Sequence, residues 1–232
     1  MISLEQAIAA PLCTRQLAEQ GARVVKVERL GTGDFARDYD TRVKGLSSHF
    51  VWVNRSKESL ALNLKTAEGQ EILHQLLADA DVFVQNLAPG ATARMGLSFS
   101  ELSAQYTSLI VCDVSGYGEG GPYRNKKAYD LLIQSESGFL SVTGTPGTGG
   151  MAKAGCSVAD IAAGMPFCRR CCCVVELVRA AILTSLCSKV WWSGWATRCI
   201  TALMGRSHHR GQELLTLRSI RTDRFPSGMV KP

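Results

Sequence analysis

Apolar positions along the chain fall into short unbroken runs separated by stretches with helical spacing. Val24-Val25-Lys26-Val27, Val82-Phe83-Val84 and Leu109-Ile110-Val111-Cys112 are compact runs of the kind that strands buried in a parallel sheet display. Ile2–Ile8 predicts a further strand and Ser59–Leu64 a strand edge. Leu12, Cys13, Leu17 and Ala18 form a helical stripe, with Pro11 in the first turn and Gly21 as the stop. Ile72, Leu73, Leu76 and Leu77 form a second stripe behind Thr66, a good N-cap. Ser98-Phe99-Ser100-Glu101 has the form of a capping box. Tyr129–Leu140 predicts another helix, and Gly144–Gly150 a flexible loop. Strand and helix alternate as βαβ units do. The pattern predicts an α/β fold, a parallel sheet with flanking helices.

Two glycine-rich stretches follow predicted strands. Gly31-Thr32-Gly33-Asp34 lacks the third glycine of a dinucleotide fingerprint and follows the wrong strand, so it reads as a turn. Asp113–Pro122 lies at the carboxyl end of the run Leu109–Cys112, the edge where open α/β sheets bind ligands. Further on, Lys153–Met165 is a polar segment running into a helix of small residues, with Asp160 as its one carboxylate. Small neighbours leave room for a bulky ligand. An aspartate at a helix start also complements the dipole, and residue chemistry alone leaves both readings open.

Composition changes the picture at one point. The 232 residues are 46% hydrophobic and 20% charged with a net charge of +6, ordinary for a globular protein. The charge is unevenly spread. Residues 166–232 hold 11 Lys and Arg against 3 Asp and Glu, whereas the first 165 residues hold 15 against 17. Six of the nine cysteines also follow residue 166. No run approaches the length of a membrane span, and MISLEQAIAAP lacks the form of a signal peptide. A cytoplasmic protein is expected, with no membrane or nucleic-acid partner and no metal.

Several blocks taken together resemble the class III CoA-transferases, the CaiB/BaiF type that includes formyl-CoA transferase. They are Ala10-Pro11-Leu12-Cys13-Thr14-Arg15; Val25-Lys26-Val27-Glu28-Arg29 with Gly33-Asp34; Asn54-Arg55-Ser56-Lys57-Glu58-Ser59 with Leu62-Asn63-Leu64-Lys65; Asp81–Asn86 with Pro89-Gly90 and Arg94–Leu97; Gly116-Tyr117-Gly118 with Gly121-Pro122-Tyr123; and Ala159-Asp160 with Gly164-Met165. The resemblance implies a Rossmann-like large domain, a separate small domain and interlocked homodimers. It implies that Asp160 is the catalytic carboxylate, forming an aspartyl-CoA thioester while CoA passes from an acyl-CoA to a free carboxylic acid. It implies CoA contacts from Arg29, Leu62, Lys65, Asn86, Leu87 and Arg94, and places Lys127, Tyr129 and Asp130 near the thioester. CoA and acyl-CoA enter as substrates, with no permanently bound cofactor. Related acyl-CoA racemases carry a histidine where this chain has Tyr129, which favours transfer over racemisation. The family's active-site glutamine, three residues before Pro11, is Ile8 here, a side chain with no donor or acceptor.

The resemblance stops near Met165. Residues 1–165 read as part of a large domain, and 166–232 as a basic, poorly ordered tail outside the family. Pro166 stands where the family's helix runs on, and interior proline opposes a helix. Codons for Trp192–Arg198 can be chosen so that a two-nucleotide shift reads Glu-Trp-Met-Gly-Tyr-Pro, a family-like string, and Ser219–Pro226 behaves similarly. A frameshifted tail is therefore expected. Cys168 and Cys171 with His208 and His209 form only a weak metal pattern. With the small domain missing, turnover is expected to be weak or absent, no interlocked dimer is expected, and a non-catalytic CoA-binding remnant is the alternative.

Overall fold

The computed structural model describes residues 1–118, 120–145, 150–165 and the strand 183–186. In chain order the elements are β1 (Ile2–Leu4), α1 (Ala9–Glu19), β2 (Val25–Arg29), α2 (Ser48–Asn54), β3 (Glu58–Leu62), α3 (Ala67–Ala78), β4 (Val82–Gln85), α4 (Phe99–Gln105), β5 (Ile110–Ser115), α5 (Asp130–Glu136), β6 (Gly144–Thr145), β7 (Gly150–Met151), a helical run over 158–165 (α6) and β8 (Leu183–Leu186). Six strands form one parallel sheet in the order β3-β2-β1-β4-β5-β8. The order reverses between β1 and β4, as in doubly wound nucleotide-binding sheets.

Side-chain alternation along the central strands builds a core on each face of the sheet. Val82 and Val84 of β4 and Ile110, Cys112 and Val114 of β5 pack with Ala10, Cys13 and Leu17 of α1 and with Ala159 and Ala163 of α6. Phe83 and Val111 point the other way, onto Leu73 and Leu77 of α3 and Leu102 of α4. The caps read from sequence are present. Thr66 accepts from the Gly69 N–H at 3.2 Å, and Ser98 and Glu101 form the reciprocal capping box. Gly164 sits where α6 crosses α1, and a Cβ there would lie 2.5 Å from the Ala9 carbonyl oxygen.

Four elements differ from the sequence expectation. The first strand ends at Leu4, because Ala7 turns the chain with φ 61°. The helix from Tyr129 stops at Glu136, because Gly138 adopts a left-handed φ of 75° and a 3-10 turn takes over at Phe139–Val142. Gly144–Thr145 and Gly150–Met151 pair as a short antiparallel hairpin rather than a loop. Helix α2 carries no sequence stripe: of its seven residues only Val53 is buried. Beyond residue 165 only β8 is described, pairing in parallel with β5. The expectation of poor order and the Cys168, Cys171, His208 and His209 cluster lie outside the described residues.

Candidate active site

All strands of the large sheet are parallel, so their carboxyl ends share one edge. Arg29 ends β2 and Leu62 ends β3, and the two are directly paired in register. Lys65 follows β3 and is exposed. Asn86 and Leu87 follow β4, and Arg94 lies on the 3-10 turn Ala93–Met95 beyond them. These six family-implied residues therefore lie at the carboxyl ends of β2, β3 and β4, with β1 between β2 and β4. Asn86 sits at the switch point, with its polar atoms engaged by the β1–α1 loop. Its Oδ1 accepts from the Gln6 N–H and its Nδ2 donates to the Gln6 carbonyl, each at 2.8 Å. The Leu87 N–H donates to Gln85 Oε1, and Gln85 in turn donates to Asp113 at 2.8 Å.

A second group gathers around α5 and α6. Lys127 is exposed, Tyr129 immediately precedes α5, and Asp130 is its first residue. Asp160 lies in the first turn of α6. Asp130 Oδ1 accepts from the Ala159 N–H at 2.9 Å and the Asp160 N–H at 3.3 Å. An external carboxylate thus takes the helix-start donors that would otherwise favour ionised Asp160. Burial, and then the charge of Asp130, push the Asp160 carboxyl up to about 7. Perturbation by desolvation together with a named neighbour is a signature of reactive groups. Among the described residues, no hydrogen bond or ion pair joins Asp160 to Arg29, Lys65 or Arg94.

Tyr39 was not anticipated. Burial, with Asp34, Asp160 and Tyr129 nearby, pushes its phenol up to about 12, so it faces the same region. Nothing in its sequence neighbourhood marks it. Ile8, at the position of the family's glutamine, is buried against Leu12, Val53 and Ile161 and belongs to the core.

Beneath the loop after β1 lies a cluster of buried charges. Lys26 Nζ contacts Asp34 Oδ2 at 2.6 Å and Asn54 Oδ1 at 2.8 Å. Lys57 Nζ contacts Glu5 Oε1 at 2.7 Å and donates to the Pro11 carbonyl at 2.8 Å. Arg37 pairs with Glu28 at 2.7 Å and its guanidinium stacks on the Phe50 ring at 3.8 Å. Asp34 also accepts from the Ala7 N–H at 3.1 Å, holding the turn in place. The glycine pair after β2 is accounted for here. Gly33 has φ 64°, and a Cβ would lie 2.7 Å from Glu28 Oε2, so the turn closes on a side-chain pair.

Among the described residues, no helix is long and apolar enough to cross a membrane, and no group of three or more His, Cys, Asp or Glu could hold a metal.

The doubly wound parallel sheet, with a half-buried aspartate at the start of α6, defines an α/β class of the nucleotide-binding kind. The model of CoA-transferase family III matches residues 1–174, and the chain belongs to that family. It is 37% identical over 174 residues to an acyl-CoA transferase of Fusarium pseudograminearum, covering 71% of this chain and 38% of that protein. It is 36% identical over 166 residues to the human succinyl-CoA:glutarate CoA-transferase, with the same coverage of 71% and 38%. A crystal structure of a CaiB/BaiF family protein from Brucella suis superposes with a TM-score of 0.78 at 27% identity, covering 90% of this chain and 57% of that one. The chain spans about two fifths of the length of these curated relatives.

Proposed function

We propose that this chain carries the nucleophile-bearing part of a class III CoA-transferase, moving CoA from an acyl-CoA to a free carboxylic acid. The observation that carries the reading is the setting of Asp160: mostly buried, facing Asp130, and without the backbone donors that Asp130 occupies. A poorly solvated carboxylate of raised basicity is a better nucleophile than one in water. Asp160 attacks the thioester carbonyl, the C–S bond breaks, and CoA leaves as thiolate from an acyl-aspartyl anhydride. The thiolate attacks the Asp160 carbonyl of that anhydride and releases the first acid as carboxylate. The acceptor carboxylate then attacks the aspartyl-CoA thioester, and the two steps run in reverse. Arg29, Lys65 and Arg94 line the edge as phosphate partners for CoA, with Leu62, Asn86 and Leu87 shaping the nucleotide end. Lys127, Tyr129 and Asp130 flank the thioester. CoA and the carboxylates are diffusible substrates, and the setting is cytoplasmic.

The second reading is a CoA-binding protein without turnover. Incubation with succinyl-CoA and glutarate, followed by mass analysis of the peptide bearing Asp160, separates the two. A CoA adduct on Asp160, lost in Asp160→Asn, is the expected result. CoA binding with neither adduct nor exchange leaves only the second reading, and racemisation of a chiral acyl-CoA without exchange overturns both.

A further inference from the structure

Among the described residues, one fully buried polar side chain beside the site has no role in the chemistry above. Gln134, on α5, is 0% exposed. Its Oε1 accepts from the Ala154 N–H at 3.1 Å, and its Nε2 donates to Asp130 Oδ2 at 2.5 Å. The other oxygen of Asp130 receives the Ala159 and Asp160 N–H groups. The segment from Ala154 to Asp160 is therefore tied to α5 at both ends, by an amide and the carboxylate that the amide holds.

We propose that Gln134 is a positioning residue for Asp160, strapping the segment ahead of α6 to α5 and aiming Asp130 at the first turn of α6. The inference rests on the reading of Asp160 as the reacting carboxylate. A carboxamide satisfies both contacts without carrying charge, since one end must accept from an N–H and the other must donate to a carboxylate. A methionine of similar length, or a leucine, loses both contacts without adding a charge. Without the donor, Asp130 Oδ1 is no longer held on the Ala159 and Asp160 N–H groups. Those donors become available to the Asp160 carboxylate, and donors to the charged form favour it. The groups facing Asp160 are Asp130 on α5, Tyr129 just before it and Tyr39 from the loop that follows Asp34. Of these only Asp130 touches Gln134, so an uncharged replacement there acts on Asp160 through Asp130.

The test uses the full chain labelled with carbonyl-13C aspartate, with the Asp160 signal assigned through Asp160→Asn. In Gln134→Met, which keeps the side-chain length and adds no charge, the Asp160 titration midpoint is expected to fall by about one pH unit. Amide exchange at Ala154, Ala159 and Asp160 is expected to quicken about tenfold, with the amides of β4 unchanged. Gln134→Leu is expected to do the same. An unchanged midpoint in Gln134→Met, or faster exchange spread evenly across the sheet, overturns the proposal. If Gln134→Leu does not fold, Gln134→Met decides alone. Neither readout needs turnover. Failure of the transfer reading shows separately, as the absence of a CoA adduct on Asp160 in the unaltered chain.

Discussion

Two regions of this molecule bury charge, and they do so in opposite ways. On the inner face of β2, three acids meet three bases: Glu5 with Lys57, Asp34 with Lys26, and Glu28 with Arg37. Burial raises the Glu5 carboxyl, but Lys57 and Lys26, with hydrogen bonds from Lys57 and Thr14, outweigh it and leave Glu5 below its usual range. Glu28 ends at about 2, with burial opposed by hydrogen bonds from Arg37, Ser59 and the Asp34 backbone. At α6 the arrangement is reversed. Asp160 faces a second carboxylate, and no described cation answers it. The first region is a neutral structural lock. The second sets one carboxylate against another.

The contrast can be broken from the structural side. Lys57→Met leaves Glu5 buried without its cation, and loss of one partner of a buried pair costs about 3–5 kcal/mol. Urea unfolding at neutral pH is expected to show a drop of that size. A change under about 1 kcal/mol would mean that the cluster is wetter than its geometry indicates.

From the reactive side, Asp160→Asn is expected to act oppositely. The folded-state midpoint of Asp160, about 7, lies above the usual 3.8, so the folded chain holds its proton to higher pH than the unfolded chain. Stability therefore declines as pH rises from about 4 to 7, and the full penalty is present above 7. Asp160→Asn removes that penalty. It should stabilise the fold by on the order of 2–4 kcal/mol at pH 8 and by little near pH 4. A stabilisation independent of pH would show that Asp160 titrates normally.

Gly164→Ala probes the support of Asp160 without touching its charge. The added Cβ meets the Ala9 carbonyl oxygen at 2.5 Å, so α6 must move off α1, at about 1–3 kcal/mol. CoA adduct formation on Asp160 should slow as well. At the small end stands Arg23→Ala, which removes an exposed pair with Glu58. Exposed pairs contribute little, and the urea midpoint is expected to stay unchanged.

How far the sequence reveals this depends on whether a feature is periodic or pairwise. The sheet strands β2, β4 and β5, the stripe of α1 and the caps at Thr66 and Ser98 follow from spacing and local chemistry, and they stand where spacing predicts. Helix α2 escaped because it is short and turns Phe50 onto Arg37 and Trp52 toward solvent rather than into an apolar core. Lys26 reads as the odd member of an apolar run, yet it is 1% exposed and sits at the centre of the charge cluster. Its partners Asp34 and Asn54 lie 8 and 28 residues away, a separation that periodicity does not encode. The same holds for Asp160. Family spacing singles it out, but its neighbour Asp130 and the role of Gln134 come only from the crossing of α5 and α6.

The reciprocal bonds between Asn86 and the Gln6 backbone join positions 80 residues apart. A contact of that separation closes a long loop, and such closures come late in the assembly of a domain. The chain must therefore make α1, β2, β3 and α3 and bring β4 beside β1 before the crevice has two walls. An emerging chain that has not yet delivered Asn86 holds one wall of that edge, with the turn at Ala7 fastened on one side only. The switch point is thus completed only after the strands that flank it have docked.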